Sequence, residues 1–513
     1  MRVAPAGQLA AIDQAPINKG GTMSDFHFSA ASPGSGKTEA ALRWAMRQCA
    51  AFNHKAIFVL QTIALIDELA ERANRIRVEC ELPEVMITTI HGGNEAGAVK
   101  RRILDHAEST PHDQPEVLFV TLRAFLDIHP WPNQHAWRNV FVDEAFNPFE
   151  DLSRQLVENH RVITDRVVLD DPSAEFSVLR PRHGAGVRDS VTDPLKRGDE
   201  VNQLLHPLLS RLVNPNFTVY AHVGSWERTL STRTDVADPR LFVYAEINPC
   251  AFAGFERVTF MGAWLQNHAF FRLWSRMGHA FSEHPDLERL VRSRAWNRSE
   301  DTIAYCTERH WTATYGKTRL ADGRTPLEHI DAYLRQELHG FAFGWTKNTG
   351  DRLSYSEGTY IPPRSAGLNG YDHLESLNWL ASMLPHPNMW RFLNWRGLTD
   401  DEVRMEFYWL PLAQFMARGA DRRRDYQGRM VKLVPDLPAA RFLGEVFGSR
   451  LLRVGTIPPA DQPYVHGGKA GRPKGHPRRG GRPRSGLTAD ERRERRNQRD
   501  RQRYADRQAR AAG

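Results

Sequence analysis

The stretch Ala31-Ser32-Pro33-Gly34-Ser35-Gly36-Lys37-Thr38 constrains the fold of this chain more than any other eight residues. It lies between FHFSAA, a short apolar run, and TEAALRWAMRQCAAF, where Ala41, Trp44, Ala45 and Phe52 recur at helical spacing. Strand, glycine-rich loop and helix, in that order, are the setting of a phosphate-binding loop, here with alanine in place of the first glycine. Gly34 and Gly36, flanked by Pro33 and Ser35, let backbone N–H groups approach phosphate oxygens. Lys37 is placed to neutralise the β and γ oxygens, and Thr38 to ligate Mg2+. The expected ligands are ATP and Mg2+. The alternative is a glycine-serine turn before an ordinary helix, and the Lys-Thr pair with its flanks argues against it.

A nucleotide-hydrolysing site also needs carboxylates at the end of a second strand. WRNVFVDEAFNPF provides them: Asn139 to Val142 is a buried strand, followed by Asp143 and Glu144. Asp143 is expected in the Mg2+ shell, and Glu144 is expected to orient and deprotonate a water. Taken alone, the pair could equally be a solvated acidic turn; its place after the loop favours chemistry.

Between the two motifs, AIFVLQTIALIDELAERA and EVLFVTLRAFLDI each read as a strand, a polar strand end and a helix. With VMITTIHGG they form repeated β-α units, and hence a parallel α/β sheet with helices on both faces. Thr62, Thr121 and Arg123 fall at strand ends, the edge where open α/β sheets bind ligands. Ordinary capping threonines would look the same.

By Glu144 the order of features resembles a superfamily-two helicase of the DEAD/DEAH-box-like class. That resemblance implies two RecA-like P-loop domains, each with a parallel sheet, that sandwich ATP and track along nucleic acid, with Thr62, Thr121 and Arg123 among the residues expected to contact the polymer. FERVTFMGAWLQNHAFFRLW resembles the strand and loop that join hydrolysis to the polymer site, with Met261-Gly-Ala-Trp264 where the family has Ser-Ala-Thr. GFAFGWTKN is the expected opening strand of the second domain. Ser365-Ala-Gly-Leu-Asn369 resembles a loop on the nucleic acid backbone, with Gly367 giving close approach and Asn369 a polar handle; a plain Gly-Asn turn fits as well.

In FYWLPLAQFMARGADRRRDY, four-residue spacing would put Gln414, Arg418 and Arg422 on one helical face. The family pattern has its second arginine three residues after the first, where this chain has Asp421. The spacing seen here resembles helicase-like proteins of phages and mobile elements. The resemblance gives the arginines the task of reaching across the cleft to the γ-phosphate. A solvated basic turn is the plainer alternative.

Net charge is +8 for the 513 residues, but it is not evenly spread. From Thr456 to Gly513 there are 16 Lys and Arg against 6 Asp and Glu, leaving 53 against 55 elsewhere. The tail is thus the part suited to polyanions. GGKAGRPKGHPRRGGRPRSG cannot form a core, and disorder is expected of it. It carries Gly-Arg-Pro twice, resembling AT-hooks in which Arg472 and Arg482 would enter an A·T minor groove; a generic basic linker is the alternative.

The domain expectation is a leader over 1–22, a RecA-like domain over 23–275 with an insert at about 151–216, a second over 276–455, and a basic tail over 456–513. Four scattered cysteines without a Cys-x-x-Cys pair, and no apolar run of membrane length, point to the cytoplasm. The expected function is ATP-driven movement on DNA in phage, plasmid or mobile-element replication, with replication proteins as further partners. A phage DNA-packaging ATPase, an RNA helicase and a non-hydrolysing DNA-binding replication protein stay open as alternatives.

Overall fold

A computed structural model describes residues 26–93, 99–155, 161–183, 187, 200–230, 240–291, 301–338, 342–364, 370–423, 426–455 and 457. The chain divides into two compact units. One comprises Met1–Lys317 and Arg324–Pro463, the other Thr318–Gly323 and Tyr464–Gly513. Of the second, the turn Thr318–Gly323 is described; in it the Gly323 N–H donates to the Leu320 carbonyl at 3.0 Å.

In the first unit the chain lays down five strands, β1 (Phe26–Ser29), β2 (Lys55–Leu60), β3 (Met86–Ile90), β4 (Glu116–Thr121) and β5 (Trp137–Asp143). Helices α1 (Lys37–Phe52) and α2 (Ile63–Glu79) follow β1 and β2. KAIFVL of β2 is buried throughout because helices cover both faces of a parallel sheet, so the sequence runs apolar instead of alternating. Under α1 and α2, the rings of Phe58, Phe119 and Phe141 pack side by side across β2, β4 and β5, Phe58 and Phe141 with centroids 4.9 Å apart.

The chain then leaves this sheet. β6 (Phe149–Asp151), β8 (Val167–Leu169), β9 (Phe176–Pro181), β10 (Phe217–His222) and β12 (Val243–Ile247) form an antiparallel sheet in the order β6-β12-β10-β9-β8. Short β7 (Arg154–Gln155) pairs with β11 (Arg240–Leu241). The insert is expected at about 151–216. FTVYAH, which follows directly, is β10, an inner strand of the antiparallel sheet. Strand patterning shows that a strand exists but not which sheet it joins.

The first sheet resumes with β13 (Arg257–Met261) and ends with β14 (Phe281–Glu283), beyond the expected boundary at 275. Its order is β14-β1-β13-β5-β2-β4-β3, with all pairs parallel.

A second all-parallel sheet follows: β15 (Thr302–Thr307), β16 (Phe343–Thr346), β17 (Gly358–Tyr360), β18 (Ser376–Trp379), β19 (Val431–Asp436) and β20 (Arg450–Arg453). Its order is β17-β16-β18-β19-β15-β20. The opening strand is therefore β15, and GFAFGWTKN supplies the next one, β16. Two parallel α/β sheets match the architecture expected of two RecA-like domains.

A helical segment of the second half packs on the first. In helix Pro387–Trp395, the Phe392 ring stacks on Tyr244 of β12 at 4.6 Å and meets Phe149 of β6 edge-on. Arg396 forms a two-pronged ion pair with buried Glu246 at 2.7 and 3.0 Å. Glu402 takes hydrogen bonds from Arg272 and Arg276, and Glu406 accepts from the Ala269 N–H. Glu406 lies on a π-helical turn, Met405–Trp409, which leads into helix Leu410–Met416.

Candidate nucleotide site

The phosphate-binding loop joins the carboxyl end of β1 to the start of α1. Gly34 has φ 71° and Gly36 φ 82°. A Cβ on Gly36 would meet nothing within 4 Å, so backbone conformation, not space, demands glycine there. The Lys37 ammonium donates to the Ala31 carbonyl at 2.6 Å and the Ser32 carbonyl at 3.0 Å, which holds it across the loop. Burial lowers the Lys37 pKa from its ordinary value; the charges of Glu144 and Asp143 oppose that shift, and Arg422 adds to it.

β5 brings the carboxylates to the same edge. The Thr38 hydroxyl donates to the Asp143 carboxylate, with oxygen separations of 2.9 and 3.1 Å. This pairing of hydroxyl and carboxylate oxygens is a donor set suited to a hard cation, so the expected Mg2+ fits Thr38 and Asp143. Burial, then the neighbouring Glu144 charge, pushes the Asp143 carboxyl up to about 7, against the pull of Thr38 and Lys37. Glu144 takes a left-handed backbone conformation, φ 69°, uncommon outside glycine. Its charge acts on both Lys37 and Arg418.

The arginines come from the second sheet's side, by a route that differs from the expected one. Helix Leu410–Met416 stops at Met416, and Arg422 lies on a separate 3-10 turn, Ala420–Arg422. Gln414, Arg418 and Arg422 therefore do not share one helix, yet all three line the same cleft. Arg418 is 8% exposed; burial lowers its pKa to about 10 despite the Glu144 charge, and Arg422 adds to the lowering.

That cleft has a volume of about 310 Å3. Pro33, Gly34, Gly36, Lys37 and Thr38 form one wall with Asp143 and Glu144, and the Gln414–Arg422 segment forms the other. Ser35 is buried and faces a neighbouring hollow between α1 and Asp286–Leu290. Sequence reasoning missed Glu39, Glu68 and Arg72, which also line the cleft. Arg72 bridges Glu68 at 2.6 Å and Glu39 at 3.6 Å. The four-residue Glu68–Arg72 spacing was legible as a helix pair, though not as part of a site. Gly262 and Ala263 reach the cleft from the end of β13, and the Gly262 N–H donates to the Ser29 carbonyl at 3.1 Å.

Of the residues assigned to nucleic acid, Thr62 caps α2 by accepting from the Leu65 N–H at 3.3 Å. Thr121 caps helix Leu122–Leu126 by accepting from the Ala124 N–H at 3.2 Å. Arg123 is exposed and lies 3.4 Å from both Asp127 and Glu150. Gly367, Asn369, Arg472 and Arg482 lie outside the described residues. Among the described residues, no helix is long and apolar enough to cross a membrane.

No family model matches the chain, and no curated protein matches it in sequence. Solved structures do. S. cerevisiae Dbp5 bound to RNA and ADP BeF3 is 9% identical, with 84% of this chain and 85% of that one covered and a TM-score of 0.34. The DUF1998 helicase MrfA bound to DNA and AMPPNP is 11% identical over 83% of this chain and 48% of that one, TM-score 0.31. T. fusca Cas3 with ADP is 12% identical over 82% and 46%, TM-score 0.32.

Proposed function

We propose that the chain is an ATP hydrolase whose turnover drives movement on nucleic acid. One observation carries the reading: Lys37, Thr38, Asp143 and Glu144 of one parallel sheet share a cleft with Arg418 and Arg422 from the other. Lys37 would leave the Ala31 and Ser32 carbonyls for the β and γ oxygens of ATP. Thr38 and Asp143 would hold Mg2+, which when bound neutralises phosphate charge. Glu144 would orient the attacking water and take its proton. Arg418 and Arg422 would meet the charge that develops on the γ-phosphate, so that hydrolysis is complete only with both sheets in place.

Nucleic acid as the track is supported by the order of motifs and by the basic composition of the tail. The Gly-Arg-Pro pairs favour DNA, and the spacing of the arginine motif favours a phage, plasmid or mobile-element setting in the cytoplasm, with replication proteins as partners.

The test is steady-state hydrolysis with nucleotide affinity measured alongside. Arg422→Ala is expected to lower kcat about a hundredfold or more while ADP affinity changes far less. Wild-type turnover that survives Arg422→Ala and Arg418→Ala unchanged would remove the cleft from catalysis.

A further inference from the structure

Asp421 stands where the resembled motif has its second arginine, and it is fully buried. Its carboxylate takes a hydrogen bond at 2.5 Å from the ammonium of Lys432, also fully buried, the second residue of β19. The same ammonium lies 3.8 Å from the centroid of the Phe447 ring. Lys432 is held in turn by its register, opposite Ile303 of β15 and Leu377 of β18.

The turn that carries Arg422 is three residues long. Its backbone is tied by the Ala420 N–H to the Leu374 carbonyl at 2.8 Å and by the Arg422 N–H to the Gly419 carbonyl at 2.9 Å. Successive side chains in a 3-10 turn leave the axis about 120° apart. Fixing Asp421 inward on Lys432 therefore fixes the direction in which Arg422 leaves, and that direction is the cleft. A buried ion pair is a weak source of stability compared with apolar residues of the same size, which leaves specification of geometry as its best-attested use.

We infer that Asp421 and Lys432 are a positioning pair for Arg422, acting on turnover by aiming its guanidinium and not by touching nucleotide. This rests on the ATP hydrolase reading above. It also accounts for the displaced arginine: position 421 is committed to the sheet interior, and the neighbouring position supplies the cleft.

Asp421→Asn alone would strand a buried ammonium and could unfold the protein, so the decisive variant is Asp421→Asn with Lys432→Met, which removes both charges and keeps both volumes. The expected result is a folded protein with KM for ATP and affinity for ADP within about threefold of wild type, and kcat lower by about tenfold or more. Added to Arg422→Ala, the double substitution should lower kcat no further, because its effect passes through Arg422. A double variant with wild-type kcat, or a loss that multiplies with that of Arg422→Ala, overturns the assignment while leaving the hydrolase reading intact. A wild-type protein without turnover overturns the hydrolase reading and this assignment together.

Discussion

At the residue scale, the backbone around Glu144 is as informative as its carboxylate. Its φ of 69° is left-handed backbone directly after β5, and Gly262 lies close to Ala145, the next residue. A Cβ on Gly262 would lie 3.1 Å from the Ala145 nitrogen and 2.8 Å from Leu265 Cδ1. Backbone cannot yield as a flexible side chain can, so Gly262→Ala should displace Ala145 and with it Glu144. Expected is a loss of about tenfold to a hundredfold in kcat with ADP affinity nearly unchanged, read from parallel kinetic and binding titrations. An unaltered kcat would show that this backbone tolerates the methyl. Lys37, Thr38, Asp143 and Glu144 were legible because each belongs to a short local pattern that depends on nothing distant. Gly262 was not, since what it needs is proximity to a residue more than a hundred positions away.

At the scale of elements, the arginine segment shows how a sound spacing can rest on the wrong geometry. Four-residue intervals suggested a continuous helix, but Arg418 and Gly419 already lie beyond its end at Met416. The Ala420 N–H bonds to the Leu374 carbonyl instead of continuing the helical ladder, and no local signal announced that partner. The helix Asp400–Arg404 just upstream carries a testable charge. Burial works against the Glu402 carboxylate, but the Thr399 N–H and the Arg276 and Arg272 guanidiniums outweigh it and hold its pKa down at about 2. A depressed carboxyl pKa contributes stability above its ordinary value of about 4.5, and that stability fades as pH falls towards 2. The gap in urea midpoint between wild type and Glu402→Gln should therefore narrow from about pH 5 to about pH 2. A gap constant over that window would mean that the ion pairs with Arg272 and Arg276 add nothing.

At the scale of the whole molecule, the parallel sheets were readable because buried parallel strands leave unbroken apolar runs before helical patterns. The antiparallel sheet between β5 and β13 was read only in part. Its helix, Glu200–Val213, carries apolar residues at helical spacing, whereas FTVYAH and VYAEI look the same as strands of any sheet. Membership of that sheet is decided by pairing of β10 with β12 and β9, and pairing is a long-range choice. Packing of Phe392 on β6 and β12 is likewise invisible to any local pattern. ATP hydrolysis in the cleft in the service of a nucleic acid track is the function proposed for the whole molecule. It is tested most directly by ATP hydrolysis of wild type and Glu144→Gln, each alone and with single-stranded DNA, duplex DNA or RNA. Turnover is expected to rise with at least one polymer, DNA foremost, and to fall about a hundredfold or more in the variant. Turnover indifferent to every polymer, or equal in the two proteins, would contradict it.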